Sequence, residues 1–255
     1  MNNFEDSKNF WKTRAENYNK LNWVHDEEYA NEILRLADLR ATHIALDVGT
    51  GSGTIAKTIK PLVHHVVAMD ISGEMMQRGD WEGMSTVKWD ISESLFSDNV
   101  FDRVFARMVF HHILDNLDVA IKRCHSVLNE GGKIIVAEGV PPTDEPHVVN
   151  WYTEMFKLKE QRRTFTPDIL VNFLQNNGFK NTVCHTYYMN NFSIGNWLKN
   201  SGLEKSIQKE IMRMHIEADP KIKETYNMRI KDGDCIVKTK NIILVGEKNT
   251  WTKTV

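Results

Sequence analysis

The sequence has little of what characterises secreted and membrane proteins. Its three cysteines, Cys124, Cys184 and Cys235, lie far apart and form no CxxC pair. This spacing argues against a disulfide framework and a thiolate zinc site, and it indicates a reducing compartment. No apolar run reaches transmembrane length, and the first residues lack the charged and apolar regions of a signal peptide. We therefore expect a cytoplasmic protein with no membrane partner.

An excess of charge of one sign is also lacking. The formal net charge of the 255 residues is -2, so the chain offers no global basic field for a phosphate backbone. We expect no nucleic-acid partner. The hydrophobic share of 41% and the charged share of 26% are typical of a globular protein. The length predicts a single domain over residues 1–255. We expect a monomer or a homodimer.

Short apolar segments alternate with amphipathic ones in the first 140 residues. "HIALDVG", "HVVAMD", "DRVFARMVF" and "KIIVAEGV" are typical of buried strands. The segments between them, such as "LDVAIKRCHSVLNEGG", place apolar residues on one helical face. This alternation predicts an α/β fold with a doubly wound, mostly parallel sheet.

The pattern changes after residue 140. Residues 147–163 and 193–217 have helical character, and "TPDILVNFLQNNGF" predicts a helix capped by Thr166. No clear crossover helix separates the final strands between 218 and 234, which favours an antiparallel strand at the sheet edge. We expect residues 141–165 and 190–230 to form a helical cap on the acceptor side.

The stretch "IALDVGTGSG", residues 44–53, places three glycines at alternate positions after a buried strand. Each glycine loses more backbone entropy on folding than another residue would, so we expect a structural reason for its presence. The reason we expect is that the backbone approaches another group closely. Ligands of open α/β sheets bind at the carboxyl ends of the strands. Asp70 ends the second strand, where a carboxylate can take both hydroxyls of a ribose. An adenosine-bearing ligand is therefore predicted, and a dinucleotide and S-adenosylmethionine both fit.

Two residues distinguish these ligands. Thr54 stands where the dinucleotide fingerprint requires glycine or alanine. Asp47 precedes the glycines, and a carboxylate there would repel a pyrophosphate and attract a cationic amino acid. Both observations favour S-adenosylmethionine over NAD.

Five segments in order resemble class I S-adenosylmethionine-dependent methyltransferases, in the small-molecule branch related to ubiquinone- and menaquinone-biosynthesis enzymes. The segments are "FWKTRAENYNKLNW", "LDVGTGSG", "VVAMDIS", "VKWDISE" and "FDRVFARMVFHHILDNLDVAIKRCHSVLNEGGKIIVAE". The resemblance covers residues 10–140. It implies a Rossmann-like methyltransferase fold with seven strands, S-adenosylmethionine as cofactor and S-adenosylhomocysteine as product. It also implies that residues 1–25 form a lid over the cofactor.

The resemblance further implies the cofactor contacts. Asp47 and the glycine loop would lie along the methionine part, and Asp70 would bind the ribose. Arg107 is expected on the loop after the fourth strand, near the methionine end and the acceptor, and we also consider it as a catalytic residue. The implied set is Arg14, Tyr18, Asp47, Gly49, Thr50, Gly51, Gly53, Asp70, Ile71, Met75, Asp90, Ile91 and Arg107.

His111 and His112 are the candidates for a catalytic base, because they follow the fourth strand at its carboxyl end. An unperturbed histidine titrates near neutral pH and can take a proton from a hydroxyl acceptor. We favour His112, and Asp115 could orient one of the two rings. The alternative is that one histidine is a hydrogen-bonded core residue and the other caps a helix. We expect no metal, because adjacent histidines on a strand point in opposite directions.

Aromatic and arginine side chains after the fifth strand are candidates for the acceptor pocket. They are Tyr152, Arg162, Arg163, Tyr188 and Trp197. Arginine can clamp a carboxylate or phosphate, so an anionic acceptor is one possibility, and a sugar or other hydroxyl compound is another. The alternative is a solvated helix face with a buried aromatic stripe.

These features lead to a hypothesis of methyl transfer to a small polar molecule, on oxygen, by in-line displacement at the sulfonium. Methylation of nitrogen or of a macromolecule is a second reading. A domain that binds S-adenosylmethionine without catalysis is a third, and a nicotinamide oxidoreductase is a fourth that Asp47 and Thr54 disfavour.

Overall fold

A mixed β-sheet runs through the structure, a computed structural model that describes residues 11–12 and 14–249. The order of strands is β3-β2-β1-β4-β5-β8-β6, and the short β7 pairs with β8. The strands are β1 (Ile44–Val48), β2 (His65–Asp70), β3 (Ser85–Lys88), β4 (Phe101–Arg107), β5 (Leu128–Val140), β6 (Phe179–Ser193), β7 (Arg229–Lys231) and β8 (Asp234–Lys248).

Strands β1 to β5 are parallel, and their register aligns their carboxyl ends. Val48 is opposite Met69 on one side and Ala106 on the other, and Ala106 is opposite Val136. The polar residues that end these strands therefore reach one edge of the sheet. This edge is where an open α/β sheet binds its ligands.

The antiparallel pairing comes from β8, which lies between β5 and β6 and is antiparallel to both. The predicted α/β class and the mostly parallel, doubly wound sheet are confirmed. The antiparallel strand is second from the edge, and β6 is the outermost strand on that side. The sheet has eight strands, because a turn at Asp232 and Gly233 folds the short β7 onto β8.

Helices cover both faces of the sheet, and a side chain caps the start of two of them, of which the cap at Thr166 is the predicted one. Asp26 accepts from the backbone N–H of Tyr29, and Thr166 accepts from that of Ile169. The helices are α1 (Glu27–Ala37), α2 (Thr54–Ile59), α3 (Gly73–Met76), α4 (Leu117–Val127), α5 (Pro146–Lys159), α6 (Pro167–Asn176), α7 (Ile194–Lys199), α8 (Lys205–Ile216) and α9 (Pro220–Thr225). Within the described ranges, none of the helices has the length and apolar character needed to cross a bilayer.

A separate apolar cluster lies beside the two that pack on the sheet. It joins residues 18–24 to α5, α7, α8 and α9, with Tyr152, Trp197 and Tyr226 among its buried members. The segment of residues 14–25 is thus packed against the helices that follow β5, and the space between them forms a cavity.

Candidate active site

The glycine loop after β1 has a backbone that only glycine adopts easily. Gly49, Gly51 and Gly53 have φ values of 64°, 59° and 85°. A Cβ atom added at Gly49 would lie 2.4 Å from Cγ2 of Val109, in the turn after β4. At Gly49, the close approach that we expected from the sequence is therefore an approach to Val109 of the protein itself.

Asp47 holds this loop in place. One carboxylate oxygen, Oδ2, accepts from Oγ1 of Thr50 at 2.6 Å and from the backbone N–H of Ala56 at 3.1 Å. Burial raises the pKa of Asp47 to about 7, although both hydrogen bonds act in the opposite direction. A cation bound beside this carboxyl group would favour its ionised form.

Asp70, at the end of β2, is tied to the same loop. Its carboxylate accepts from the backbone N–H of Gly51 at 2.7 Å and from that of Ser72 at 2.8 Å. Burial raises its pKa as well. Met75 lies at the loop, since its Cε atom would be 3.3 Å from a Cβ atom added at Gly51.

The other predicted cofactor residues follow β2 and β3. Ile71 comes directly after β2 and is partly buried. Asp90 follows β3, and its Oδ1 accepts from the backbone N–H and the hydroxyl of Ser92. Ile91 is buried in the main core cluster. These residues are near the carboxyl ends of their strands, as the resemblance implied.

Residues 18–25 lie against the glycine loop. The hydroxyl of Ser52 donates to Asn19 at 2.6 Å, and the ring of Tyr18 would be 3.9 Å from a Cβ atom added at Gly51. Tyr18 also lines the cavity under the cap. It therefore connects the loop with the cavity.

Arg107 fastens this segment to the sheet. The prediction that Arg107 lies on a loop is wrong, because it is the last residue of β4. Its guanidinium donates to the carbonyl oxygens of Trp23 and Val24 and lies over the rings of Trp23 and Tyr29 at 5.3 and 5.2 Å. These contacts assign Arg107 a packing role, and a catalytic role for it stays a prediction.

A cavity of about 160 Å³ lies between the turn after β4, residues 11–12 and 14–23, and the cap. Its lining is mostly apolar and aromatic, with a group of charged side chains at one end. The lining includes Trp11, Arg14, Tyr18, Met108, His111, His112, Tyr152, Phe156, Lys159, Glu160, Arg162, Trp197, Tyr226 and Asn241.

His111 and Glu138 form a buried pair at this cavity. Nδ1 of His111 lies 2.5 Å from Oε2 of Glu138. The other oxygen, Oε1, accepts from the backbone N–H groups of Val109, Phe110 and His111. Glu138 thus fixes both the turn and the ring, and it leaves Nε2 of His111 for a bound molecule. Burial lowers the pKa of His111 well below its usual value, so the ring is neutral at pH 7.

His112 lies next to this pair. The two histidines belong to a 3₁₀ turn, Phe110–His112, and their ring centroids are 4.0 Å apart. The expectation that they point in opposite directions is wrong, because they do not lie on a strand. The ring of Trp11 meets that of His112 edge-on at 4.7 Å. Burial lowers the pKa of His112 well below its usual value.

Glu160 is the centre of a second buried group. It pairs with Arg14 at 2.7 Å, with Arg162 at 3.5 Å and with Lys159. Burial alone would raise the pKa of Glu160, but these cations hold it well below its usual value. Arg14 therefore lines the cavity with Glu160, and its predicted contact with the cofactor stays a prediction.

Only some of the predicted acceptor residues line the cavity. Tyr152, Arg162 and Trp197 do so. Arg163 does not, because its guanidinium donates to the carbonyl oxygens of Ile113 and Leu114. Tyr188 is 43% exposed on the outermost strand, under the ammonium group of Lys238.

Glu138, beside the cavity, and Glu160, Tyr226 and Asn241, in its lining, were not predicted from the sequence. Glu138 follows the apolar run of β5 as Asp47 and Asp70 follow theirs, and that signal could have identified it. Glu160 stands in the charged run "KLKEQRR", which is typical of a solvated surface. Tyr226 and Asn241 are also buried in the lining, and no sequence signal marks them.

A metal ion is a further possibility at the charged end. Ligand atoms of His111, His112 and Glu160 lie within 4.8 Å of one another. However, Glu160 already pairs with three cationic side chains, and these would repel a divalent ion. The arrangement is better suited to an anion and to proton transfer at neutral imidazole.

Comparisons with known proteins agree with this geometry. Residues 46–136 match the family model described as a methyltransferase domain. A demethylmenaquinone methyltransferase of Porphyromonas gingivalis is 29% identical over 147 residues, which cover 52% of this chain and 60% of that protein. The ubiquinone/menaquinone biosynthesis C-methyltransferase UbiE of Coxiella burnetii is 29% identical over 119 residues, which cover 42% of this chain and 47% of that protein. The chain thus spans about half the length of these relatives.

Solved structures share the fold over most of the chain. YcgJ of Bacillus subtilis has a TM-score of 0.78 and 18% identity, with 88% of this chain and 99% of that chain covered. Phospholethanolamine N-methyltransferase 2 of Haemonchus contortus, in complex with S-adenosylhomocysteine, has a TM-score of 0.60 and 16% identity. That alignment covers 88% of this chain and 53% of that one. The predicted Rossmann-like fold is confirmed.

Proposed function

We propose that this chain is a class I S-adenosylmethionine-dependent methyltransferase that resembles ubiquinone- and menaquinone-biosynthesis enzymes. It would methylate a hydroxyl group of a small molecule bound in the cavity. The cofactor would lie at the carboxyl edge of β1 to β4. The acceptor would lie between His111 and the aromatic side chains of the cap.

The observation that carries this proposal is the pairing of His111, which lines the cavity, with the fully buried Glu138. The hydroxyl proton would move to Nε2 of His111, while Glu138 holds the ring through Nδ1 at 2.5 Å. The oxygen would form a bond to the methyl carbon as the bond from that carbon to sulfur breaks, and S-adenosylhomocysteine would leave uncharged. A positioned base contributes roughly 10²–10⁴-fold to such a step.

Orientation and the exclusion of water supply the remaining catalysis. The sulfonium is already electrophilic, so holding the two reactants in line can remove about 7–11 kcal/mol of the barrier. Tyr18 and Trp11 close the cavity from the side of the N-terminal segment. This fits the expected lid of residues 1–25, of which residues 1–10 and 13 lie outside the described part.

The carboxyl groups of the loop support the cofactor assignment. Asp47 and Asp70 are both buried beside the glycines, and burial raises the pKa of each carboxyl group. The sulfonium and amino group would favour ionised Asp47. The ribose hydroxyls would donate to Asp70.

Methylation of carbon is the second candidate. The relatives include a demethylmenaquinone methyltransferase and a C-methyltransferase, and the lining of the cavity is largely aromatic. Deprotonation of a phenol by His111 would activate its ring carbons as well as its oxygen. A sugar acceptor fits this lining less well than a compound with an apolar body.

Cytoplasmic location, a small-molecule partner, the absence of a nucleic-acid partner and a monomer or homodimer stay predictions.

Calorimetric titration with S-adenosylmethionine, S-adenosylhomocysteine and NAD tests the cofactor. We expect micromolar binding of the first two and none of NAD. Asp70→Ala should weaken the binding of S-adenosylhomocysteine at least about tenfold, since it removes a charge-assisted contact. Binding of NAD alone would overturn the assignment.

A panel of phenols and hydroxy acids, with release of S-adenosylhomocysteine as the readout, tests the transfer. His111→Gln and Glu138→Gln should each lower turnover by about 10² or more, with the affinity for S-adenosylhomocysteine unchanged. His147→Gln, at an exposed histidine of α5, is the matched control. Mass spectrometry of the product distinguishes a methyl on oxygen from one on carbon. Unchanged turnover in His111→Gln would exclude His111 as the base.

A further inference from the structure

We propose that the acceptor carries a carboxylate, which binds Arg162 at the charged end of the cavity. This inference rests on the proposed function and specifies its substrate class. It starts from one atom, Nη2 of Arg162, which is buried and has no hydrogen-bond partner in the described part of the chain.

Contacts of the other atoms of Arg162, apart from Nη2, hold its side chain in place. Its Nη1 contacts Glu160 at 3.5 Å, its Nε donates to the carbonyl oxygen of Arg163 at 3.3 Å, and its carbon Cζ lies 4.2 Å from the centroid of the Phe156 ring. The side chain is 7% exposed. A buried N–H group without an acceptor costs about 1–3 kcal/mol, so a ligand oxygen at this nitrogen would remove a penalty of the empty site.

The charges around Arg162 select an anion. Lys159 and Arg162 both pair with the single carboxylate of Glu160. The nearby Glu138 uses one oxygen for three backbone N–H groups and the other for His111, so it does not pair with these cations. An excess of buried positive charge is unfavourable without a counterion. A ligand anion would supply that counterion.

The rest of the cavity determines the body of the ligand. Phe156, Trp197 and Tyr152 provide an aromatic wall, and the cavity has room for one small ring. Two further donors, the hydroxyl of Tyr226 and Nδ2 of Asn241, are buried in the lining and lack partners among residues 11–12 and 14–249. They can donate to an oxygen on the body of the ligand. The geometry therefore fits a small aromatic acid that also carries an oxygen substituent.

A carboxylate fits this end better than a phosphate. Nη2 is the one nitrogen of Arg162 that has no partner in the described residues, and it can donate to one oxygen of a carboxylate. A carboxylate also brings less charge into this mostly apolar cavity than a phosphate dianion would. Calorimetry with a carboxylate probe and a phosphate probe compares the two anions directly.

The test uses calorimetry on the protein saturated with S-adenosylhomocysteine. The probes are 4-hydroxybenzoate, its neutral counterpart 4-hydroxybenzamide, and phenyl phosphate. We expect the acid to bind at least about tenfold more tightly than the amide, because charge-assisted hydrogen bonds are about twice as strong as neutral ones. Arg162→Gln should abolish this preference, and Arg162→Lys should reduce it, since lysine keeps the charge but loses the planar fork.

Arg35→Gln is the matched control, because it removes a positive charge from the exposed face of α1. It should leave the preference unchanged. The melting temperature and the affinity for S-adenosylhomocysteine show whether each variant is folded. If Arg162→Gln fails to fold, the comparison of acid and amide in the unmodified protein decides.

Three outcomes would overturn the inference. The acid and the amide could bind equally, neither could bind, or phenyl phosphate could bind more tightly than the acid. Each leaves the proposed function standing if S-adenosylhomocysteine still binds. If the unmodified protein does not bind S-adenosylhomocysteine, the proposed function itself is overturned.

Discussion

The cofactor edge and the acceptor cavity are built in different ways. At the cofactor edge, the groups that hold the loop come from short stretches that follow β1 and β2, and Asp47 bonds to residues at most nine positions away. In the cavity, Arg14 pairs with Glu160 across 146 positions, and Asn241 comes from the last strand. One site is encoded locally, and the other is assembled from distant segments.

The difference teaches where a change in sequence has predictable effects. A substitution at Gly49 must fit a left-handed backbone and the nearby side chain of Val109, so its cost follows from the geometry around this one residue. A substitution in the cavity acts on side chains supplied by separate elements, so its effect depends on packing around it. The predictions below test this contrast, beginning with the largest effect.

Gly49→Ala should be the most damaging single change at the cofactor edge. The new Cβ would lie 2.4 Å from Val109, and φ is 64°, so the turn that carries His111 must shift. We expect the affinity for S-adenosylhomocysteine to fall on the order of 100-fold, which corresponds to about 2.8 kcal/mol. Calorimetry measures the affinity.

Gly233→Ala is the control for this prediction. Gly233 has a φ of 78°, but no atom lies within 4 Å of an added Cβ. It should lose only the roughly 1–2 kcal/mol of a left-handed residue in stability, and cofactor affinity should not change. Equal loss of cofactor affinity in both variants would contradict the local account of the loop.

The affinity of the cavity for a carboxylate should fall as pH rises. Burial lowers the pKa of Lys159 to about 7, so its positive charge is lost above that pH. Burial raises the pKa of Glu138, so its carboxyl group becomes negatively charged at a higher pH than an ordinary glutamate. Both changes weaken anion binding, and we expect a loss of about fivefold for 4-hydroxybenzoate between pH 6.5 and 8.5. The neutral amide should bind equally at both values, and a flat profile for the acid would exclude Lys159 from anion binding.

Tyr226→Phe and Tyr29→Phe should give the smallest effects and separate the two regions. Each removes a buried hydroxyl that has no partner in the described chain, so each should stabilise the fold by about 1 kcal/mol. Only Tyr226 lines the cavity, so only its variant should weaken the binding of 4-hydroxybenzoate, by about threefold. Thermal unfolding and calorimetry measure the two quantities, and equal ligand binding in both variants would remove Tyr226 from the proposed site.

The contrast between the regions also explains what could be predicted from the sequence. The order of strands and helices, the cap at Thr166 and the position of Asp70 follow from local patterns of a few residues. The pairing of Glu138 with His111 does not, because it depends on the alignment of β4 with β5. The burial of Glu160 in a charged run is set by three cations from the N-terminal segment and from the chain that ends α5. Tertiary packing decides such contacts, and a single sequence shows no trace of them.

The ion pair of Arg14 with Glu160 has a consequence for how the two sites are linked. The segment that carries Trp11, Arg14 and Tyr18 contacts the glycine loop on one side and lines the cavity on the other. A ligand in the cavity and a ligand at the glycine loop would therefore both contact this one segment, and the ion pair of Arg14 with Glu160 anchors it to the acceptor side.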